Sequence, residues 1–242
     1  MFRLAHRSSW FSGEDMKIFL LCLIFFSGCN NSQNSPALVF DFTENLNFTS
    51  DKIPDSEKNA VLKYVFGANF FHLAKADVVR KFSGSFTEPG TNQTLYLIRG
   101  GLNTDFENAA RWQVETLAYV AVFDGVKPVF SEKLYTSDIL KITDLNADGK
   151  NEILFESEFS NMGASTVSAH LRQIEAEKIL DIKDFGNVYT DNSLSNEDCR
   201  QKAAKIFYLS FERKFDFSYF ESDCGEPARQ RELSENPFLE VL

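Results

Sequence analysis

The stretch "DLNADGKNEILF", residues 144–155, joins an acid-rich turn to an apolar run. Sliding the chain on itself lays it without gaps on "SFTEPGTNQTLY", residues 85–96. Gly149 then meets Gly90, Asn151 meets Asn92, Glu152 meets Gln93, and Leu154 and Phe155 meet Leu95 and Tyr96. A second overlay places "AHLRQIEAEKIL" (169–180) on "AYVAVFDGVKPV" (118–129), with Glu175 over Asp124 and Lys178 over Lys127. The two offsets differ as an insertion within "NTDFENAARWQ" of the first copy would require. Each copy reads as strand, turn, strand and hairpin, a four-stranded antiparallel unit of about 55 residues, which is the size of a propeller blade. Short β segments also resemble one another by chance, so unrelated hairpins remain the alternative.

Within the second copy, Asp144, Asn146 and Asp148 take positions one, three and five of the loop. Gly149 takes position six, Lys150 offers its carbonyl at seven, and Glu152 stands at nine. Alternating oxygen donors around a turn that only glycine closes easily suit a hard cation such as calcium. With no nitrogen or sulfur donor, a structural zinc site is excluded. An EF-hand fails as well, because Phe155 stands where its bidentate Glu is required and strands flank the loop. The rival reading is an ion-free hairpin turn, since Asp-Gly is a strong turn signal by itself.

With these ligand positions and strand flanks, the segment resembles the calcium loop of the FG-GAP (VCBS-type) repeat family. The resemblance implies Asp144, Asn146, Asp148 and Glu152 as side-chain ligands, Lys150 as a carbonyl ligand, and a structural role for the ion. The first copy carries Ser85, Thr87, Pro89 and Gln93 at the matching places, so at most one metal is expected.

Outward from this core, the rest of the chain reads as follows. Strand-like runs continue from about residue 80: "LAYVAVF" is apolar on both faces and predicts a covered central strand, whereas "ILFESEF" alternates and predicts one wet face. Upstream, "PDSEKNAVLKYVFG" predicts a helix that starts at Pro54 and Asp55, with Asp or Ser able to cap, and stops at Gly67. His72, among Phe70, Phe71 and Leu73, reads as a packed core histidine rather than a ligand. The expected organisation is 1–28 signal peptide, 29–53 tether, 54–80 helical segment, 81–135 first β unit, 136–190 second β unit, and 191–242 C-terminal hairpin and tail. The fold class is mainly β: two blade-like units, a stapled hairpin that covers an open sheet edge, and one short helix.

The segment "MKIFLLCLIFFSGCNNSQNS", residues 16–35, has a basic start at Lys17, an apolar core and the small pair Ser27-Gly28. Its apolar run is about half of the roughly 20 residues a membrane-spanning helix needs. It resembles a bacterial lipoprotein signal peptide, with Phe26 where Leu is usual. The resemblance implies diacylation of Cys29 and an outer-membrane lipoprotein of the cell envelope. Glu14 and Asp15 stand where a basic region belongs, which places the start of translation at Met16. Of the four cysteines, Cys22 lies in the signal, which leaves Cys199 and Cys224 as an expected disulfide in an oxidising compartment or as two buried thiols.

Composition narrows the function. The 242 residues carry a formal charge of -10 with 35 acidic and 25 basic side chains, and no basic cluster, so nucleic acid is not an expected partner. Twenty-five Phe and seven Tyr against three His favour an aromatic β interior over imidazole catalysis. No nucleophile elbow, phosphate loop or zinc triad is visible, and neither His72 nor His170 has an evident partner. The expectation is a non-catalytic binding module with a protein or glycan ligand. A periplasmic inhibitor or assembly factor that docks by charge is the alternative, and a carboxylate-pair hydrolase is a further one.

Overall fold

Apolar residues on both faces of a strand demand cover on both faces, and this requirement sets the layers of the molecule. The computed structural model describes residues 36–44, 51–67, 74–102, 116–161, 163–193, 199–223 and 230–239. The chain divides into two units, Met1–Ser35 and Pro36–Leu242. The first, with Cys22 and Cys29, lies outside the described residues, as do His72 and Cys224.

The second unit is mainly β with antiparallel pairing and one short helix. Strands β2 (Ala74–Gly84), β3 (Gln93–Leu102), β4 (Leu117–Asp124) and β5 (Lys127–Tyr135) form a four-stranded sheet in chain order. Strands β6 (Asp138–Thr143), β7 (Glu152–Asn161), β8 (Ala164–Glu175) and β9 (Lys178–Asp191) follow as a second consecutive meander. That meander continues through β10 (Arg200–Leu209), β11 (Lys214–Asp223) and β12 (Arg231–Leu233) into one eight-stranded sheet, with β1 (Ala37–Asp41) paired to β10.

Three apolar clusters separate the layers. In β3, Leu95 and Leu97 face Ile153 and Phe155 of β7, so the two sheets pack face to face. On the opposite side of β3, Tyr96 and Ile98 meet Val61 and Leu62 of α1 (Asp55–Phe66). On the far side of β7, Leu154 joins Leu140, Ala169 and Leu171 beneath Val39, Ala204 and Ile206 of β1 and β10. The eight-stranded sheet is therefore curled, its later strands lying over the outer face of its earlier ones.

This curl corrects one expectation. Rather than alternating with a wet face, β7 is buried continuously from Glu152 to Glu156 and becomes exposed only beyond Ser157. β4 is covered on both faces, Val120 and Val122 turning to the sheet interface and Ala121 and Phe123 to the helix side. The segment expected as a tether is partly structured, because β1 lies within it and buries Val39 and Phe42 completely. Likewise β2 begins at Ala74, inside the segment expected to be helical.

Helix α1 ends at Gly67, whose φ of 73° is a conformation that glycine adopts freely. Its N-cap is Pro54 without a side-chain cap bond, which corrects the expected Asp or Ser cap. Asp55 and Glu57 instead lie in the first turn, where the helix dipole favours acids. Glu57 accepts from the Tyr96 hydroxyl at 2.5 Å and pairs with Lys81 at 2.6 Å, and Lys58 pairs with Asp77 at 2.7 Å. These polar bonds fix the helix over its apolar contacts.

Because Phe155 is fully buried at the sheet interface, Phe155→Ala should lower unfolding free energy by about 3–5 kcal/mol in urea denaturation. Phe159, 53% exposed on the same strand, should lose less than about 1 kcal/mol on the same change. Equal losses would contradict the double-faced burial of β7.

Candidate functional site

Two loops that overlay in sequence also meet in space. The β2–β3 loop (85–92) and the β6–β7 loop (144–151) are joined by Asn151, whose amide donates to the Ser85 carbonyl at 2.7 Å. Its side-chain Oδ1 accepts the Ser85 amide, also at 2.7 Å. The Gly90 amide donates to the Gly149 carbonyl at 3.2 Å. Close approach requires missing side chains here: a Cβ on Gly149, at φ 86°, would sit 3.1 Å from Pro89 Cβ, and one on Gly84 would sit 2.5 Å from Asn151 Oδ1.

Within each loop the residue opening the next strand does the same work. In the first, Gln93 Oε1 accepts the amides of Phe86 and Thr87, both at 2.9 Å. In the second, Glu152 Oε2 accepts the amide of Leu145 at 2.7 Å. The acid at position nine thus has a loop-closing role that an amide fills in the other copy.

The remaining candidate ligands all belong to the second loop. Asp144 accepts the amides of Asp148 and Gly149, at 3.2 and 3.0 Å, through its two oxygens. Asn146 Oδ1 accepts the Asp148 amide at 2.9 Å, and Asp148 Oδ1 accepts that of Lys150 at 2.8 Å. The Lys150 ammonium turns away to Glu175 at 2.6 Å. Ala147 takes a left-handed φ of 58° at the turn.

Electrostatics suits a cation. Burial raises the Glu152 pKa, and the Asp144 and Asp148 carboxylates raise it further against the pull of the Leu145 amide. Asp148, by contrast, is lowered by the Lys150 amide. Oxygen is the only donor type in the loop, so the residues fit a hard ion in chemistry. Among the described residues, no three His, Cys, Asp or Glu already converge as a metal-holding group.

A second cluster escaped the sequence. Asp138 and Glu156 stand opposite each other on β6 and β7, 2% and 6% exposed. Arg99 of β3 reaches Asp138 Oδ2 at 3.1 Å and donates to the Ser137 carbonyl at 2.9 Å, while Arg80 of β2 lies at 3.7 Å from the same oxygen. Burial pushes the Glu156 pKa up to about 7, helped by the Asp138 and Glu158 carboxylates and opposed by Arg99 and Arg80. Asp138 is raised too, mainly by burial, against the Ile139 amide and both arginines. The only local signal was an acid inside the apolar run "ILFESEF", which alternation assigned to a wet face.

A cavity of about 210 Å³ opens where β9 leaves β10, and Phe185, Phe217, Tyr219, Lys183, Asp184 and Asn187 are among the residues lining it. Asp184 also lies 3.4 Å from His170 Nδ1, so this histidine, read as partnerless, has an acidic neighbour. Burial lowers the His170 pKa while Asp184 opposes the shift.

Neither a protein-family model, nor a curated protein sequence, nor a solved structure matches this chain. Among the described residues no helix is long and apolar enough to cross a membrane.

For Glu156, a pKa raised from 4.5 to about 7 means that the folded state keeps a proton the unfolded chain has lost. The group's contribution is therefore complete below about pH 4.5 and disappears as pH rises through about 7. Glu156→Gln should flatten the fall in stability across that window and be more stable than wild type at pH 8 by up to about 3 kcal/mol. Parallel melting curves against pH for the two proteins would show that Glu156 ionises freely.

Proposed function

We propose that this chain is a lipid-anchored protein of the bacterial cell envelope, placed in the outer membrane through Cys29, that acts as a non-catalytic binding module. The observation that carries the binding role is the cavity between β9 and β11, lined by Phe185, Phe217 and Tyr219 together with Lys183, Asp184, Asn187 and Asn236. Its lining includes neither Asp138 nor Glu156.

In this reading the meanders β2–β5 and β6–β9 are two blade-like repeat units of FG-GAP type. Support comes from the equivalent loop closures of Gln93 and Glu152 and from the equivalent hairpins, in which Asp124 pairs with Lys127 and Glu175 with Lys178. Calcium, held by Asp144, Asn146, Asp148, Glu152 and the Lys150 carbonyl, stabilises the second loop, and through Asn151 the first.

Cys199 and Cys224 form a disulfide in the same reading. The β10–β11 ladder pairs Arg200 with Asp223, and Cys199 and Cys224 are the residues next to that pair in sequence. Closing a loop of about 25 residues adds on the order of 3 kcal/mol by chain entropy.

Intact mass of protein extracted from membranes reads both modifications together. A diacylated Cys29 as N-terminus and a closed Cys199–Cys224 pair are expected; an unmodified N-terminus removes the anchor, and two free thiols remove the staple. Calcium is checked by melting. At a concentration one hundred times its Kd, the ion should add about 2.7 kcal/mol, a gain that Asp148→Ala abolishes. A melting temperature indifferent to calcium, chelator and Asp148→Ala would eliminate the metal.

A further inference from the structure

The cavity exists because two strands compete for one edge. β9 pairs with β10 only through Tyr189, Thr190 and Asp191, and beyond Ala203 that edge belongs to β1. Before Val188, β9 stays with β8 through a series of register shifts and Gly186 takes a φ of 65°, so the strand separates from β10. The floor of the gap includes fully buried Ala204, whose methyl group leaves space that a larger side chain would fill.

The walls are aromatic. Phe185 approaches Phe215 and Phe217 edge-on, with centroids at 5.0 and 5.9 Å, and Phe217 lies parallel to Tyr219 at 5.9 Å. Around them the polar groups are already oriented. Asn187 Oδ1 accepts the Ser168 hydroxyl at 2.9 Å and Asn236 Oδ1 accepts the Phe238 amide at 2.9 Å, so each carboxamide leaves its NH₂ as a donor. Asp184 Oδ1 accepts the Gly186 amide at 2.8 Å, which leaves its other oxygen as an acceptor. Lys183 and Asp184 both line the cavity and carry opposite charges, so the lining has no net charge with which to select a phosphate or an ammonium ion.

Resting on the reading of the chain as a binding module, the geometry points to this cavity as the seat of one neutral saccharide ring, its apolar face against Phe217 or Tyr219. A pyranose combines apolar faces with hydroxyl edges that both donate and accept, the combination this lining presents. About 210 Å³ accommodates a single ring and no folded epitope. An acyl chain would offer no hydrogen bond to the NH₂ groups of Asn187 and Asn236 or to the second oxygen of Asp184.

Saturation-transfer NMR and calorimetry on the full chain, with the methyl glycosides of glucose, galactose and N-acetylglucosamine as probes, test the assignment. Transfer to the ring protons of at least one glycoside is expected, and Tyr219→Ala should weaken its binding about tenfold, the equivalent of 1.4 kcal/mol. Tyr219 also packs against the apolar cluster beneath β1 and β10, so the exposed double variant Lys183→Ala/Asn187→Ala provides a check that leaves the fold intact. It should weaken binding severalfold at an unchanged melting temperature. The saccharide assignment is overturned if no glycoside shows transfer, if transfer survives both variants, or if a fatty acid binds there instead. Crosslinking on intact cells keeps the two readings apart: a specific crosslinked partner with silent glycosides removes the saccharide alone, whereas silence in both removes the binding module with it.

Discussion

Face-to-face packing of Leu95 and Leu97 on Ile153 and Phe155 is the contact around which the other layers are arranged. It buries one side of β3 and one side of β7, yet the residues on the opposite faces, Tyr96, Ile98 and Leu154, are apolar as well. Two sheets of this kind cannot end in water, because their outer faces would remain uncovered. The chain meets the demand differently at its two sides. Helix α1 covers the four-stranded sheet, and the eight-stranded sheet bends its own β10, with β1 beside it, over its first strands. Closed propellers satisfy the same demand by adding blades around a ring; here two meanders suffice because each outer face has its own lid.

At one end of the sheet pair, Asn151 fixes the relation of the two meanders. Its backbone and side chain both bond to Ser85, and the bare Cα atoms of Gly84 and Gly149 permit the approach. The acid-rich turn is consequently part of the joint between sheets. In the first of these loops Gln93 closes the turn with neutral hydrogen bonds, where Glu152 uses a carboxylate in the second.

Local signals carried much of this into the sequence. Gly90 and Gly149, each with positive φ, and the paired ends Asp124–Lys127 and Glu175–Lys178 are turn features, and turn chemistry is set by a few adjacent residues. Gly67 ended the helix for the same reason. What depended on distant partners was not legible. Glu156 alternates as a surface residue should and is buried only because the sheet curls; Asp138, Arg80 and Arg99 come together from three separate strands. The cavity arises from competition between β1 and β9 for one edge, an event between segments about 150 residues apart that no local periodicity records.

The position of β1 also has a mechanical meaning. Val39 and Phe42 lie buried, and Ala37 to Asp41 are paired along β10, so the segment nearest the N-terminal side of the fold is built into a sheet. Any tension applied upstream of Pro36 must first act on that ladder, where several backbone hydrogen bonds and the Lys205–Asp41 ion pair at 2.7 Å share the load. Force is thereby delivered to β10, the strand that β11 flanks on one side and whose Ala204 forms part of the cavity floor. Strand β1 and the cavity floor thus hang on a single strand, β10.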